Sequence, residues 1–236
     1  MTSLLSSPLP RVPSQRLQRR VTTATQIFEV LKSEIIASRL QPGLALQDRM
    51  LTERFGVSRT PVREALIRLS EIGLVDIFPQ AGTFVSRVPV GAIPEAVVIR
   101  KALEGVTVEA AALSQAPDRE ARLAAIIRRQ KAMALVGDID AFHEADEAFH
   151  AELAEIANHP GIWTLLKQVK VQIDRARRMT LPVLGRMDHV IAEHEAIADH
   201  VVAGDAVAAR AAMMDHLNAV IPDVAELRGL YPDYFA

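Results

Sequence analysis

The chain has no cysteine, which excludes disulfides and thiolate metal ligands and agrees with a reducing compartment. It has no run of 18 or more apolar residues, and its N-terminus lacks the apolar segment of a secretory leader. Neither membrane spanning nor export is expected, and the expected location is cytoplasmic. A His-Glu-x-x-His pair is also missing, which removes one common zinc-hydrolase pattern. What remains is a chain of 236 residues, 50% hydrophobic, long enough for one large domain or two ordinary ones.

The formal net charge of -2 hides an uneven distribution. Residues 1–90 hold 12 Lys/Arg against 7 Asp/Glu, and residues 91–236 hold 15 against 22. Only the front part suits a polyanion. Residues 1–20 are rich in Ser, Pro and Arg without a periodic apolar face and read as a flexible basic tail. From Thr22, Ile27, Leu31, Ile35 and Ile36 recur at helical spacing, and Pro42-Gly43 then forces a turn. A short helix from near Asp48 to Phe55 ends at Gly56, and only Val57-Ser58 separates it from a third helix running to about Ile72.

In that third helix Val62, Leu66 and Leu69 form the buried face, while Arg59 and Arg63, four apart, share the other. Ser58 is placed to cap the first turn with its hydroxyl, and Thr60-Pro61 sit where a missing N–H costs nothing. Two short helices joined by a tight turn make a helix-turn-helix unit. Leu74–Phe78 and Thr83–Ser86, joined through Pro79-Gln80-Ala81-Gly82, read as a hairpin beside it. Residues 22–88 thereby resemble the winged helix-turn-helix of the GntR superfamily of bacterial transcription regulators. The resemblance is carried by Leu51-Thr52-Glu53-Arg54-Phe55-Gly56-Val57-Ser58-Arg59-Thr60-Pro61-Val62-Arg63-Glu64-Ala65-Leu66, then Leu69, Glu71-Ile72-Gly73-Leu74-Val75 and Gly82-Thr83-Phe84-Val85. It implies that Arg49, Arg59 and Arg63 contact operator bases and phosphates, with Ser58 and Thr60 at the helix start and Gly82 at the wing tip by the minor groove.

Beyond Pro89 the pattern is helical almost throughout. Spans of about 94–115, 118–136, 138–157, 160–179, 184–203 and 205–220 are separated by Pro117, Gly137-Asp138, His159-Pro160-Gly161, Leu181-Pro182 and Gly204-Asp205. The expected fold is mainly α, an N-terminal winged helix-turn-helix followed by a C-terminal antiparallel α-helical bundle. The expected boundaries are a tail over 1–20, a DNA-binding domain over 21–88, a linker over 89–94, an effector-binding and dimerisation domain over 95–222, and a C-terminal tail over 223–236.

Within the bundle, Asp146 and His150 lie one turn apart on one helix face. His194 and His216 fall on successive helices, each about ten residues from the Gly204-Asp205 turn, so an antiparallel pair places them level. Periodicity leaves open whether the four meet or remain separate buried or surface groups. Glu193 and Glu195 flank His194 on other faces and are weak candidates for general bases.

Residues 94–220 resemble the FCD effector domain of the FadR subfamily, on the pattern Asp-x-x-x-His, a His in a Glu-His-x-x-Ile setting, and a further His before Leu. The resemblance implies that Asp146, His150, His194 and His216 hold a divalent metal, zinc or nickel. Three neutral imidazoles and one carboxylate suit such ions. It also implies that Arg100 reaches an effector carboxylate, against the plainer alternative of an i,i+4 ion pair with Glu104. Arg175, Arg177 and Arg178 offer a second positive source, of which at least one is expected to face solvent because 177 and 178 point about 100° apart.

The implied effector is a small organic acid, best a sugar acid such as an aldonate or hexuronate that can chelate the metal. The implied assembly is a homodimer on a palindromic double-stranded operator, acting as a repressor that the acid releases. A metal-dependent hydrolase and a constitutive architectural DNA-binding protein are the alternatives; the first ignores the winged domain and the second ignores the histidines.

Overall fold

A computed structural model describes residues 22–180, 186–219 and 228–236. The expected basic tail over 1–20 lies outside the described residues, as do the helix break at Leu181-Pro182 and the domain end at 222. The described residues divide into two compact units, one ending at Arg87 and the other beginning at Val88.

The first unit begins with α1 (Thr23–Ile36), whose N-terminus is closed by the Thr22 hydroxyl accepting from the Thr25 N–H. Ala24, Ile27, Phe28, Leu31 and Ile35 are its buried face. α2 (Asp48–Phe55) stops at Gly56, whose φ of 66° is the left-handed conformation that reverses the chain into the next helix. α3 (Arg59–Glu71) buries Val62, Ala65, Leu66 and Leu69 and packs on α1 and α2. Between α1 and α2, Arg54 forks onto the Glu34 carboxylate at 2.8 and 2.5 Å.

Ser58 occupies the expected N-cap position of α3 in extended conformation, but its side chain makes no capping hydrogen bond. Ser58, Arg59 and Thr60 are all exposed, so water can satisfy both the hydroxyl and the first-turn N–H groups. β1 (Val75–Phe78) and β2 (Gly82–Val85) pair antiparallel from Val75↔Val85 to Phe78↔Gly82, forming the wing. β2 is tied back to the segment before α2 by the Val85 N–H donating to Leu44 O at 2.9 Å and the Leu46 N–H donating to Thr83 O at 2.7 Å.

The second unit contains α4 (Ala92–Leu113), α5 (Arg119–Val136), α6 (Ile139–Ile156), α7 (Pro160–Val169), α8 (Val171–Thr180), α9 (Arg186–Ala203) and α10 (Ala206–Ala219). α4 packs on α10, α6 and α9, and α5 packs on α6 and α9. The shared core includes Val108, Phe142, Phe149, Leu153, Ile197 and Met213.

Three expected boundaries shift. α4 starts at Ala92, inside the linker expected over 89–94. The single helix expected over 160–179 is two, broken at Lys170. The expected tail over 223–236 is in part a packed strand end: Phe235 is buried and pairs with Val88, whose N–H donates to Tyr234 O at 2.8 Å. Among the described residues no helix is long and apolar enough to cross a membrane.

Candidate metal centre and nucleic-acid interface

α6 carries Asp146 and His150, α9 carries His194, and α10 carries His216; all four are buried. The α9–α10 reversal at Gly204, with φ of 76°, sets the last two side by side with ring centroids 4.7 Å apart. His150 joins them at 5.2 Å from His216 and 5.4 Å from His194. One ring nitrogen from each of the three lies within 4.8 Å of the others. Asp146 adjoins this set, with Oδ1 3.7 Å from His194 Nε2.

Each imidazole is fixed from behind. His150 Nδ1 meets Glu104 Oε2 at 2.5 Å, His194 Nδ1 meets Gln130 Oε1 at 2.9 Å, and His216 Nδ1 meets Glu193 Oε2 at 2.8 Å. The Gln130 and Glu193 oxygens are acceptors, which assigns the ring proton of His194 and His216 to Nδ1 and leaves a lone pair on their Nε2 atoms; the His150 contact is a close approach to a carboxylate oxygen without hydrogen-bond geometry. The His216 and His150 Nε2 atoms face each other at 3.3 Å, and the buried His194 Nε2 has no hydrogen-bond partner. Phe149 stacks on His194 at 4.0 Å and Trp163 on His150 at 5.7 Å, which restrains the ring planes.

Three ring nitrogens so gathered form a candidate coordination pocket, and backing of the remote nitrogen by a carboxylate or amide is how metal-binding histidines are usually oriented. The donor set therefore fits a divalent ion of the zinc or nickel type. Burial, and then the charge of a neighbouring imidazole, push His194 and His216 well below the usual histidine value, so both are neutral as ligation requires.

The surrounding acids are matched by protein cations. Asp146 receives Arg177 through Nη1 to Oδ2 at 2.7 Å and Nη2 to Oδ1 at 2.8 Å. Burial alone would raise Asp146, but the charge and hydrogen bonds of Arg177 outweigh it and hold the carboxyl well below its ordinary value. Arg100 is paired with Glu104 at 2.6 Å, both buried, so it stands as the i,i+4 ion pair and through Glu104 braces His150. Lys170, at the α7–α8 break, spans Glu147 at 2.5 Å and Asp174 at 2.6 Å. Here His143, Asp146 and Glu147 form a second ligand-like group, with His143 pushed down to about 4 by burial.

Arg175 is buried and donates to Gln172 Oε1 at 3.1 Å. The expectation that one of Arg175, Arg177 and Arg178 faces solvent is not met: the Arg178 side chain is only 13% exposed and pairs with Asp140 at the start of α6. Gln130 belongs to no motif, and the sequence places Glu104 beside Arg100 and Glu193 beside His194 without signalling that they back His150 and His216. Gln130 alone leaves a trace, as a polar residue continuing the buried Leu123 and Ile127 stripe of α5.

In the first unit, Arg49, Ser58, Arg59, Thr60, Arg63 and Gly82 are all exposed. Arg63 and Gly82 line a cleft of about 620 Å³ between α3 and the wing, together with Ile67, Ile77, Phe78 and Phe84. Arg63 Nε donates to Asp48 Oδ2 at 2.8 Å and Arg49 Nε to Glu53 Oε1 at 2.9 Å. Both ion pairs are largely solvated, hence weak and open to exchange for phosphate.

Comparison with known proteins agrees with both units. Residues 23–85 match the family of bacterial regulatory proteins called gntR, and residues 95–219 match the FCD domain. An HTH-type transcriptional regulator in an unstable DNA locus of Streptomyces ambofaciens is 37% identical, over 91% of this chain and 90% of its own. A probable D-xylose utilization operon transcriptional repressor of Paenarthrobacter nicotinovorans is 29% identical, over 92% of this chain and 94% of its own. The solved structure of E. coli McbR/YncC shares the fold with a TM-score of 0.76 at 22% identity, over 88% of this chain and 99% of that one. The family is one of DNA-binding regulators, and the hydrolase alternative falls with that finding. The chain belongs to the gntR family of bacterial regulatory proteins, with an FCD domain as its second unit, and is a transcription regulator.

Proposed function

We propose that this regulator is a cytoplasmic, dimeric repressor of the FadR subfamily whose operator binding is controlled by a small organic acid at a metal-containing site. The observation that carries the reading is the convergence of one ring nitrogen each from His150, His194 and His216, each ring having an acceptor oxygen beside its Nδ1. Imidazole nitrogens so gathered are a donor set that suits a divalent cation. Asp146 adds a carboxylate on the His194 side, completing the implied set. The ion would supply a Lewis-acid contact for an acid's oxygens, and an acid with an adjacent hydroxyl would chelate it. Sugar acids fit that chemistry, and the sugar operon in the name of the Paenarthrobacter relative supports a sugar-derived ligand and a repressing mode. Arg100 and Arg175 are the cations assigned to the acid, although reaching it would require Arg100 to loosen from Glu104.

On the output side, Arg59 and Arg63 project from the start of α3 and are assigned to the major groove, one of them reading a guanine edge. Arg49, Ser58 and Thr60 are assigned to phosphates and Gly82 to the minor-groove approach. Metal analysis and native mass spectrometry of the purified protein, followed by a thermal-shift screen of aldonates, hexuronates and dicarboxylates, test the input. One ion per chain and a stabilising acid that alters DNA binding are expected. No bound metal after incubation with zinc or nickel would remove the metal centre.

A further inference from the structure

Asp146 is fully buried, and a carboxylate at such a depth is tolerated only when its charge is met. In an ion-binding site the ion can meet it. Here Arg177, itself 2% exposed, already does so with a two-pronged contact to both oxygens. The pattern extends across the neighbourhood: Glu104 has Arg100, and Asp174 has Lys170, so each of the three buried carboxylates near the imidazoles carries a protein cation. The charge of Asp146 is thus met by the protein itself, and a divalent cation is not needed as its counter-charge.

We propose that Arg177 is an internal stand-in for the metal, compensating Asp146 when the ion is absent, so that the effector domain stays folded in both metal-free and metal-loaded states. The proposal rests on the metal-centre reading and specifies its regulation. Metal occupancy becomes a variable of the regulator instead of a condition for its folding. A site lacking such a cation would leave the buried carboxylate uncompensated each time the ion departed, and loss of metal would unfold the domain.

The test compares full-length wild type with Arg177→Met, Arg177→Lys and the double variant Asp146→Asn/Arg177→Met. Unfolding midpoints are measured in chelator and in excess zinc, and zinc stoichiometry by competition with a chromogenic chelator. Wild type is expected to fold in chelator. Arg177→Met should lose at least about 6 °C in chelator, the scale for an uncompensated buried charge, and should gain more from zinc than wild type does. Removing the carboxylate as well, in the double variant, should restore most of the chelator midpoint.

A chelator midpoint for Arg177→Met within 2 °C of wild type, equal zinc increments in the two proteins, or no recovery in the double variant would each overturn the proposal. If Arg177→Met fails to fold under both conditions, Arg177→Lys decides. Its single-pronged ammonium should give an intermediate chelator midpoint and an enlarged zinc increment, and a wild-type increment would contradict the stand-in role. Wild type that binds no zinc at all would overturn the metal reading itself, an outcome separate from the others.

Discussion

At the scale of single residues, the partners behind the histidines matter as much as the histidines. His194→Ala removes one of three converging nitrogens; it is expected to abolish stoichiometric metal binding while operator affinity of the metal-free protein stays within about twofold of wild type, since the DNA-reading residues lie in the other unit. Metal analysis and DNA titration on the same preparation check both halves. Glu193→Gln should leave His216 in place but weaken its orientation, lowering metal affinity by about 10–100-fold, the usual scale for such partners. An unchanged affinity would mean that the 2.8 Å contact to His216 Nδ1 plays no part.

Protonation gives a further residue-scale prediction. His143, His194 and His216 all titrate lower in the fold than in the unfolded chain, where histidine sits near about 6.5. Below that value the unfolded state binds more protons, so their contribution to stability is fully present above about pH 6.5 and is lost as pH falls. In chelator the melting midpoint should therefore be lower at pH 5.5 than at pH 7.5. An equal or higher midpoint at pH 5.5 would contradict the neutral, buried assignment.

At the scale of elements, the helix-turn-helix is set by one backbone conformation. Gly56 adopts φ of 66°, and a Cβ built there meets nothing within 4 Å. Gly56→Ala should thus cost about 1 kcal/mol from conformation alone, without a clash, and a chemical denaturation series measures it. The same elements show what the sequence discloses. Asp146 and His150 share a face because the helical period requires it, and His194 and His216 lie level because a glycine reversal separates them by nearly equal arms. The α7–α8 break and the burial of Arg175 and Arg177 are not disclosed. Val171–Thr180 has the composition of a surface helix, and tertiary pairing of Arg177 with Asp146 and of Arg178 with Asp140, both on α6, draws these cations inside. Periodicity reports which face a residue occupies; it does not report which opposite charge will meet it.

The recognition helix divides its roles in a measurable way. Loss of a base-reading arginine among Arg59 and Arg63 should cost about 1–3 kcal/mol and relax one operator position, whereas Arg49→Ala should weaken specific and scrambled duplexes alike. Equal losses on both duplexes for Arg59→Ala and for Arg63→Ala would remove base reading from α3.

At the scale of the whole molecule, a front unit with a net excess of basic residues and an acidic second unit divide output from input. An acid regulates DNA binding only if it prefers one of two arrangements of the proposed dimer, since equal affinity shifts no population. The metal is the element through which that preference would be expressed. The most direct measurement is fluorescence anisotropy on a duplex selected in vitro from random sequence, titrated with zinc-loaded protein, chelated protein and zinc-treated His194→Ala in the presence of a sugar acid found by thermal shift. The acid should weaken DNA binding of the zinc-loaded protein by about tenfold or more, a coupling of roughly 1.4 kcal/mol, and should leave the other two unchanged. The same weakening in all three would show that the acid acts without the metal centre proposed at Asp146, His150, His194 and His216.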